Sequence, residues 1–238
     1  MQVLRLHYGT INGMLGPATP FNGYAIVHPQ GVVLVDTGFG RAFGDGDEGA
    51  LVSAGRPPMH WVRRSTIDAL ADHAIHPSDV THVINTHLGD HSGENAVFRH
   101  AQFVIQAPEV AFAAKKYPHV RDQWEFAGVR ADYLQGEDVE VLAGITCLFT
   151  PGHTPGHQSI LVADDETSRK TLFVGDAVYT ADIWEDLDVI DESHPAWGAQ
   201  FNLGIGREIW QASARKLRAV DADVLHFAHD AKIVHRRR

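Results

Sequence analysis

The chain has 238 residues, 44% hydrophobic and 21% charged, the profile of a soluble globular protein able to bury a sizeable core. Its formal net charge of -10 argues against nucleic acid or an anionic membrane surface as a partner, and the basic end, residues 235–238, reads as a solvated tail. The N-terminus lacks the basic-then-apolar order of a signal peptide, and no apolar run approaches the roughly 20 residues that span a bilayer. A single cysteine, Cys147, excludes an intrachain disulfide. These features predict one domain over residues 1–238, cytoplasmic, with Cys147 as a buried core thiol.

In chain order, "VLRLHYG" (3–9) alternates as a strand does. "YAIVHPQGVVLVDTG" (24–38) reads as two strands around a Pro-Gln-Gly turn, the second ending in Asp36 and Gly38. "STIDALADHAI" (65–75) is helical, with Ser65 as cap and Ile67, Leu70, Ala71 and Ala74 on one face. "THVINT" (81–86) is a buried strand, "AQFVIQ" (101–106) another, and "APEVAFAAKKY" (107–117) a helix followed by an irregular passage to about Gln135. "DVEVLAGITCLFT" (138–150) gives two strands around Ala-Gly, and "QSILVAD" and "KTLFVGD" give two more around a polar turn. An amphipathic helix ends "NLGIGREIWQASARKLRAV" (202–220), and "ADVLHFAHD" (222–230) is a last strand and loop. Strands in groups with helices between them suit two layers of sheet flanked by helices.

Two stretches, 39–62 and 180–206, read as long loops able to wall a site. Phe21, Met59, Trp61, Trp184 and Phe201 are candidates for an apolar surface there, although core packing explains each equally well. "GDGDEG" (44–49) lacks the rest of a calcium loop.

Histidine is abundant, with 16 residues, and its positions carry the chemistry. His87, Asp90 and His91 follow "THVINT"; His153 lies in "TPGHTPGHQS", Asp176 in "FVGDAVY" and His229 in "HFAHD". A lone histidine at a strand end is more often hydrogen-bonded or exposed than a ligand, and a lone aspartate after glycine is more often a turn former. The joint pattern, each group after an apolar strand, points to a site for zinc, iron, manganese or cobalt.

These motifs, from "VDTG" at 35–38 to "AHD" at 228–230, resemble the metallo-β-lactamase-fold hydrolases, and within them the N-acyl homoserine lactonase branch. The resemblance implies an α/β protein, an αββα sandwich, with two metal sites at one sheet edge. By motif, His87, Asp90, His91, His153, Asp176 and His229 are the metal ligands, Asp176 bridging, and Asp36 a structural aspartate behind them. The family motif H-x-H-x-D-H spans six residues, whereas "HLGDH" spans five. Either a histidine has been deleted between Leu88 and Gly89, or His87 is the second histidine and Asn85 stands in for the first. Both alignments leave metal site one with His87, His153 and Asp176 only, so site one is expected to be weakened, whereas site two keeps Asp90, His91, Asp176 and His229.

The implied chemistry is lactone opening: two metals about 3.5 Å apart generate a hydroxide that attacks the carbonyl. Asp90 would then pass a proton to the leaving alkoxide, and Tyr179, if not simply a packed tyrosine, would hydrogen-bond the substrate carbonyl. His157 is expected to orient its loop rather than bind metal. The expected partner is a small-molecule lactone or ester, with a homodimer possible. The alternatives are another esterase, thioesterase or phosphotriesterase of the same fold, or a chain that keeps the fold with impaired catalysis.

Overall fold

The computed structural model describes residues 1–40, 60–187 and 205–236. Residues 44–49, Met59, Trp197 and Phe201 lie outside the described residues. The chain divides into two compact units, Met1–Ile105 with Ala113–Asp132, and Gln106–Phe112 with Tyr133–Arg238.

The first unit is built on a seven-stranded sheet in the order β4-β1-β2-β3-β5-β6-β7. Strands β1 (Gln2–Asn12), β2 (Thr19–His28) and β3 (Gly31–Val35) form an antiparallel meander. The expected Pro-Gln-Gly turn joins β2 to β3. Gly31 sits there at φ 120°, and a Cβ would lie 2.4 Å from the Thr81 methyl, so only glycine fits. Strand β4 (His60–Arg63) pairs with β1, so the end of the expected 39–62 loop is sheet. Strands β5 (Val80–Ile84) and β6 (Gln102–Gln106) continue from β3 in parallel, and β7 (Arg130–Leu134) closes the order. Val32, Val33, Leu34 and Val35 are all buried, as a parallel strand covered on both faces requires. The parallel arrangement sets the C-terminal ends of β3 and β5 side by side, with Asp36 following one and Asn85–Thr86–His87 the other.

Helix α1 spans Thr66–Ala71, shorter than expected. Ser65 caps it as predicted, its Oγ accepting from Asp68 N at 3.1 Å. It ends because Ala74 turns left-handed at φ 55°, with Ile75 N donating to Leu70 O. The buried face is Thr66, Ala69 and Leu70, whereas Ile67 is 44% exposed. The apolar stripe drawn through Ile67 and Ala74 is therefore corrected: Thr66 turns inward because its hydroxyl donates to Thr37 O at 2.7 Å.

The second unit carries a six-stranded sheet in the order β13-β12-β11-β10-β9-β8. Strands β8 (Val139–Leu142), β9 (Ile145–Phe149), β10 (Gln158–Asp164) and β11 (Arg169–Gly175) are antiparallel neighbours, and β12 (Val224–Phe227) joins β11 in parallel. The parallel pair again aligns two strand ends, leading to Asp176 and to His229. Helix α2 (Ala107–Lys116) matches expectation, and α3 (Ala181–Glu185), capped by the Thr180 hydroxyl, lies within a stretch read as loop. Helix α4 (Arg207–Ala219) buries Trp210, Ser213, Ala214 and Leu217, an i, i+3, i+4, i+7 stripe.

In the basic end, residues 235 and 236 depart from expectation, and 237–238 lie outside the described residues. Val234 and His235 form β13 against β12, and the Arg236 guanidinium donates to Val220 O at 2.7 Å and lies 5.5 Å from the centre of the Trp184 ring. A backbone acceptor and an aromatic face thus hold this guanidinium against the fold, where a freely solvated side chain was expected. Cys147 is buried in β9 as predicted, and burial pushes its thiol up to about 12. Among the described residues no helix is long and apolar enough to cross a membrane.

Candidate metal centre

In the first unit the site grows from the Asp36 carboxylate. Asp36 leaves β3 at φ 66°, a conformation aspartate tolerates better than most residues. Tyr8 fastens it by donating its hydroxyl to Asp36 O at 2.9 Å. Burial, with the charge of Asp36 adding to it, pushes the Tyr8 phenol well above its ordinary value, so it stays a neutral donor. The carboxylate takes three hydrogen bonds: Oδ1 from Thr86 N at 2.7 Å, Oδ2 from Thr86 Oγ1 at 2.7 Å, and Oδ2 from His91 Nδ1 at 2.9 Å.

These bonds fix the histidine tautomers. With Nδ1 protonated toward Asp36, His91 offers Nε2 as its lone pair. The Thr86 hydroxyl spends its proton on Asp36, so at His87 Nδ1, 3.1 Å away, it acts as acceptor. His87 therefore also offers Nε2, which lies 3.4 Å from Asp90 Oδ1. The ligand atoms of His87, Asp90 and His91 all lie within 4.8 Å of one another. His87 and His91 are buried, whereas the Asp90 side chain is 30% exposed. A carboxylate–histidine pair that aims Nε2 at a second carboxylate is the support a metal-binding imidazole needs. The donor set of two imidazoles and a carboxylate fits a divalent transition metal.

The five-residue "HLGDH" closes at Gly89, which takes φ 107°. Gly89 N lies 3.0 Å from Ser92 Oγ and 3.1 Å from Gln123 Oε1, so the turn is held from both sides. Asn85, the stand-in of the alternative alignment, pairs its carboxamide reciprocally with that of Asn95, at 3.1 and 2.9 Å. Asn95, Gln123 and Thr86 were not singled out from the sequence. Thr86 had a local signal, since it directly precedes His87, whereas Gln123 lay in a passage read as irregular.

In the second unit His153, Asp176 and His229 converge. Asp176 Oδ2 lies 3.2 Å from His229 Nε2 and 3.6 Å from His153 Nε2. All three are buried. Asp176 follows Gly175, whose φ of 60° turns the chain at the end of β11. His157 orients this loop, as expected: its Nε2 accepts from Asp176 N at 3.0 Å, and its Nδ1 lies 2.9 Å from Thr150 Oγ1. Thr150 in turn meets Ser159 Oγ at 3.0 Å, and Ser159 donates to Val174 O at 2.8 Å. The relay leaves His157 one tautomer and no role as ligand. Tyr179 is buried, with its hydroxyl 3.3 Å from His153 Nδ1 and its carbonyl accepting from His229 N. Glu109 of α2, also buried, accepts from Gly156 N at 3.2 Å and so steadies the "TPGHTPGH" loop.

Of the apolar wall candidates, Phe21 packs against His91 with ring centroids 4.2 Å apart and planes tilted by 45°, and Phe39 bridges Phe21 to Trp61. Trp184 packs on Phe227 and beneath Arg218 and Arg236.

Imidazole and carboxylate donors gathered at the ends of paired strands, on a two-sheet α/β scaffold, define a protein of the metallohydrolase class. The chain belongs to the metallo-beta-lactamase superfamily, whose family model matches residues 17–229. It is 28% identical over 189 residues to an N-acyl homoserine lactonase of Bacillus thuringiensis, covering 76% of this chain and 74% of that one. A solved structure of a B. thuringiensis AiiA variant with N-decanoyl-L-homoserine at its active site superposes with a TM-score of 0.75 at 23% identity, over 96% of this chain and 93% of that one. AidC, a dizinc quorum-quenching lactonase, superposes with a TM-score of 0.65 at 18% identity, over 95% and 86%. The homologues are lactonase hydrolases, and the α/β fold class is the one expected from the motifs.

Proposed function

We propose that the protein is a metal-dependent hydrolase that opens lactone esters, with N-acyl homoserine lactones as the first substrates to test. The observation that supports this most is the Asp36–Thr86 frame, which locks His87 and His91 in the tautomer that presents Nε2 to Asp90. The likeness to curated lactonases supplies the substrate class.

The residues that would hold metal are His87, Asp90, His91, His153, Asp176 and His229, with zinc the first candidate and iron, manganese or cobalt accepted by the same donors. When bound, the metal supplies Lewis-acid polarisation of the ester carbonyl and acidifies water. Asp90, the one partly open member of its cluster, is placed to carry a proton to the leaving alkoxide. Tyr179 accepts from His153 Nδ1 at its hydroxyl oxygen, which leaves His153 Nε2 for a metal and keeps the phenol hydrogen for a carbonyl oxygen. Asp36 and His157 keep the imidazoles and the Asp176 loop in register.

A second reading is carried by the shortened "HLGDH" segment. With one motif histidine fewer, the first of the two sites that the resemblance implies would keep three protein ligands and would bind metal more weakly than the second. Both readings meet one experiment: hydrolysis of N-hexanoyl homoserine lactone followed by pH-stat, on zinc-loaded protein of known metal content. Ring opening at close to two metals per chain supports the full enzyme. Slow opening at close to one supports the weakened site. No opening by fully loaded protein overturns the lactonase reading.

A further inference from the structure

Gln123 lies far from every motif residue in sequence, yet it touches the turn that carries His87, Asp90 and His91. Its side chain is buried, at 4% exposure. The carbonyl Oε1 accepts from Ser92 Oγ at 2.6 Å and from Gly89 N at 3.1 Å. Its backbone carbonyl accepts from Asn95 Nδ2 at 2.9 Å. Asn95 then reaches Asn85 by both amide atoms and accepts from Thr37 Oγ1 at 2.8 Å. One buried polar network thus joins the residue before Gly38, the residue two before His87, the middle of "HLGDH", and Ser92 just after it.

Turned over, the carboxamide would set its NH₂ against the Gly89 N–H, donor against donor. With the oxygen toward Gly89, Gln123 Nε2 finds no hydrogen-bond partner among the described residues. Burying an unpaired amide hydrogen is costly. The side chain is kept for its carbonyl, and the carbonyl serves Gly89 and Ser92.

We infer that Gln123 is a positioning residue for metal binding: its carbonyl clamps the shortened Gly89 turn so that Asp90 and His91 face His87 Nε2. A turn of five residues has less slack than one of six. Gly89 adopts its left-handed conformation with two acceptors fixing its N–H, and without them the turn samples others. This inference rests on the metal-binding reading proposed above.

Cobalt(II) titration of the full chain tests it, read by the visible d–d absorption of the bound ion, which reports ligand geometry independently of catalysis. Gln123→Met keeps the volume and removes the acceptor. Gln123→Glu keeps an acceptor oxygen for Gly89 and Ser92 and replaces the NH₂, which has no partner among the described residues, by a second oxygen. The expected result is about a tenfold loss of cobalt affinity with altered bands in Q123M, and wild-type affinity and bands in Q123E. Q123M that matches the wild type overturns the inference, as does Q123E that is as impaired as Q123M. Should Q123M fail to fold, Ser92→Ala, which removes the shorter bond to the same carbonyl, is expected to weaken cobalt several-fold, and unchanged affinity there overturns it. A wild-type chain that takes up no cobalt overturns the metal reading itself, an outcome separate from the others.

Discussion

Asp36 and His91, 55 residues apart in sequence, meet through Oδ2 and Nδ1 at 2.9 Å, and this contact decides which nitrogen His91 offers to a metal. Asp36→Asn tests it. The amide tolerates the positive φ and still accepts from Thr86 N through its oxygen. Its NH₂, however, faces His91 Nδ1 and Thr86 Oγ1, where donors already stand. His91 is then driven to the other tautomer, with its proton on Nε2. The variant is expected to fold and to lose about 10- to 100-fold in zinc affinity, measured by competitive titration against a chromophoric chelator. Wild-type affinity in D36N would show that the tautomer argument is wrong.

The strands were legible because apolar runs such as "GVVLV" are buried on both faces and broken by turn residues. The candidate ligands were legible because each follows such a run. Three features were not. Thr66 is buried and Ile67 exposed because a tertiary hydrogen bond to Thr37 O outweighs the local apolar pattern. The short β13 was hidden in a basic tail, since two residues carry no periodicity. Gln123 shows no signal along the chain, because its partners are 31 and 34 residues away and the contact exists only after folding.

Restoring a histidine between Leu88 and Gly89 is expected to raise metal content toward two equivalents and to increase lactone hydrolysis, if the shortened motif is what limits site one. The insertion also lengthens a turn now clamped by Gln123 and Ser92, so a stability cost of about 1–2 kcal/mol accompanies it. Elemental analysis of protein purified without chelator is the check. Metal content that stays where it was in the wild type would mean that the missing side chain is not what limits binding.

Metal removal gives a second view of the same donors. Two buried histidines meet the Asp176 carboxylate, and two more surround Asp90, so an ion that binds only the folded state stabilises it. Exhaustive chelation is expected to lower the Tm by several degrees, on the order of 2–3 kcal/mol at metal concentrations near 100 Kd, and zinc to restore it. Calorimetry with and without chelator reads the shift, and coincident transitions would contradict a bound ion.

Tyr179→Phe separates a substrate contact from simple packing. The ring keeps its neighbours His153 and His229, and the loss of one hydroxyl leaves His153 Nδ1 without that contact. If the phenol serves the reacting carbonyl, kcat/KM for lactone falls about 100-fold when both proteins are assayed at equal metal content. A packed tyrosine leaves both kinetic constants within about twofold and moves only stability, by about 1 kcal/mol.

Cys147 gives a prediction that is independent of metal. Its thiol, raised by burial to about 12 from 9.0, stays protonated in the folded chain while the unfolded chain ionises near 9.0. Below that pH both states keep the proton, and the stabilisation by the buried thiol is fully present. Between 9.0 and about 12 only the unfolded chain gives the proton up, so stability falls with rising pH by about 1.4 kcal/mol per unit. Native protein at pH 8 is therefore expected to resist thiol reagents until denaturant is added. Urea unfolding of wild type and Cys147→Ala at pH 8 and pH 10 isolates the linkage, because the alanine variant lacks this component of the alkaline loss. Equal losses in the two proteins, or rapid labelling of the native thiol, would place Cys147 in contact with solvent and contradict its burial in β9.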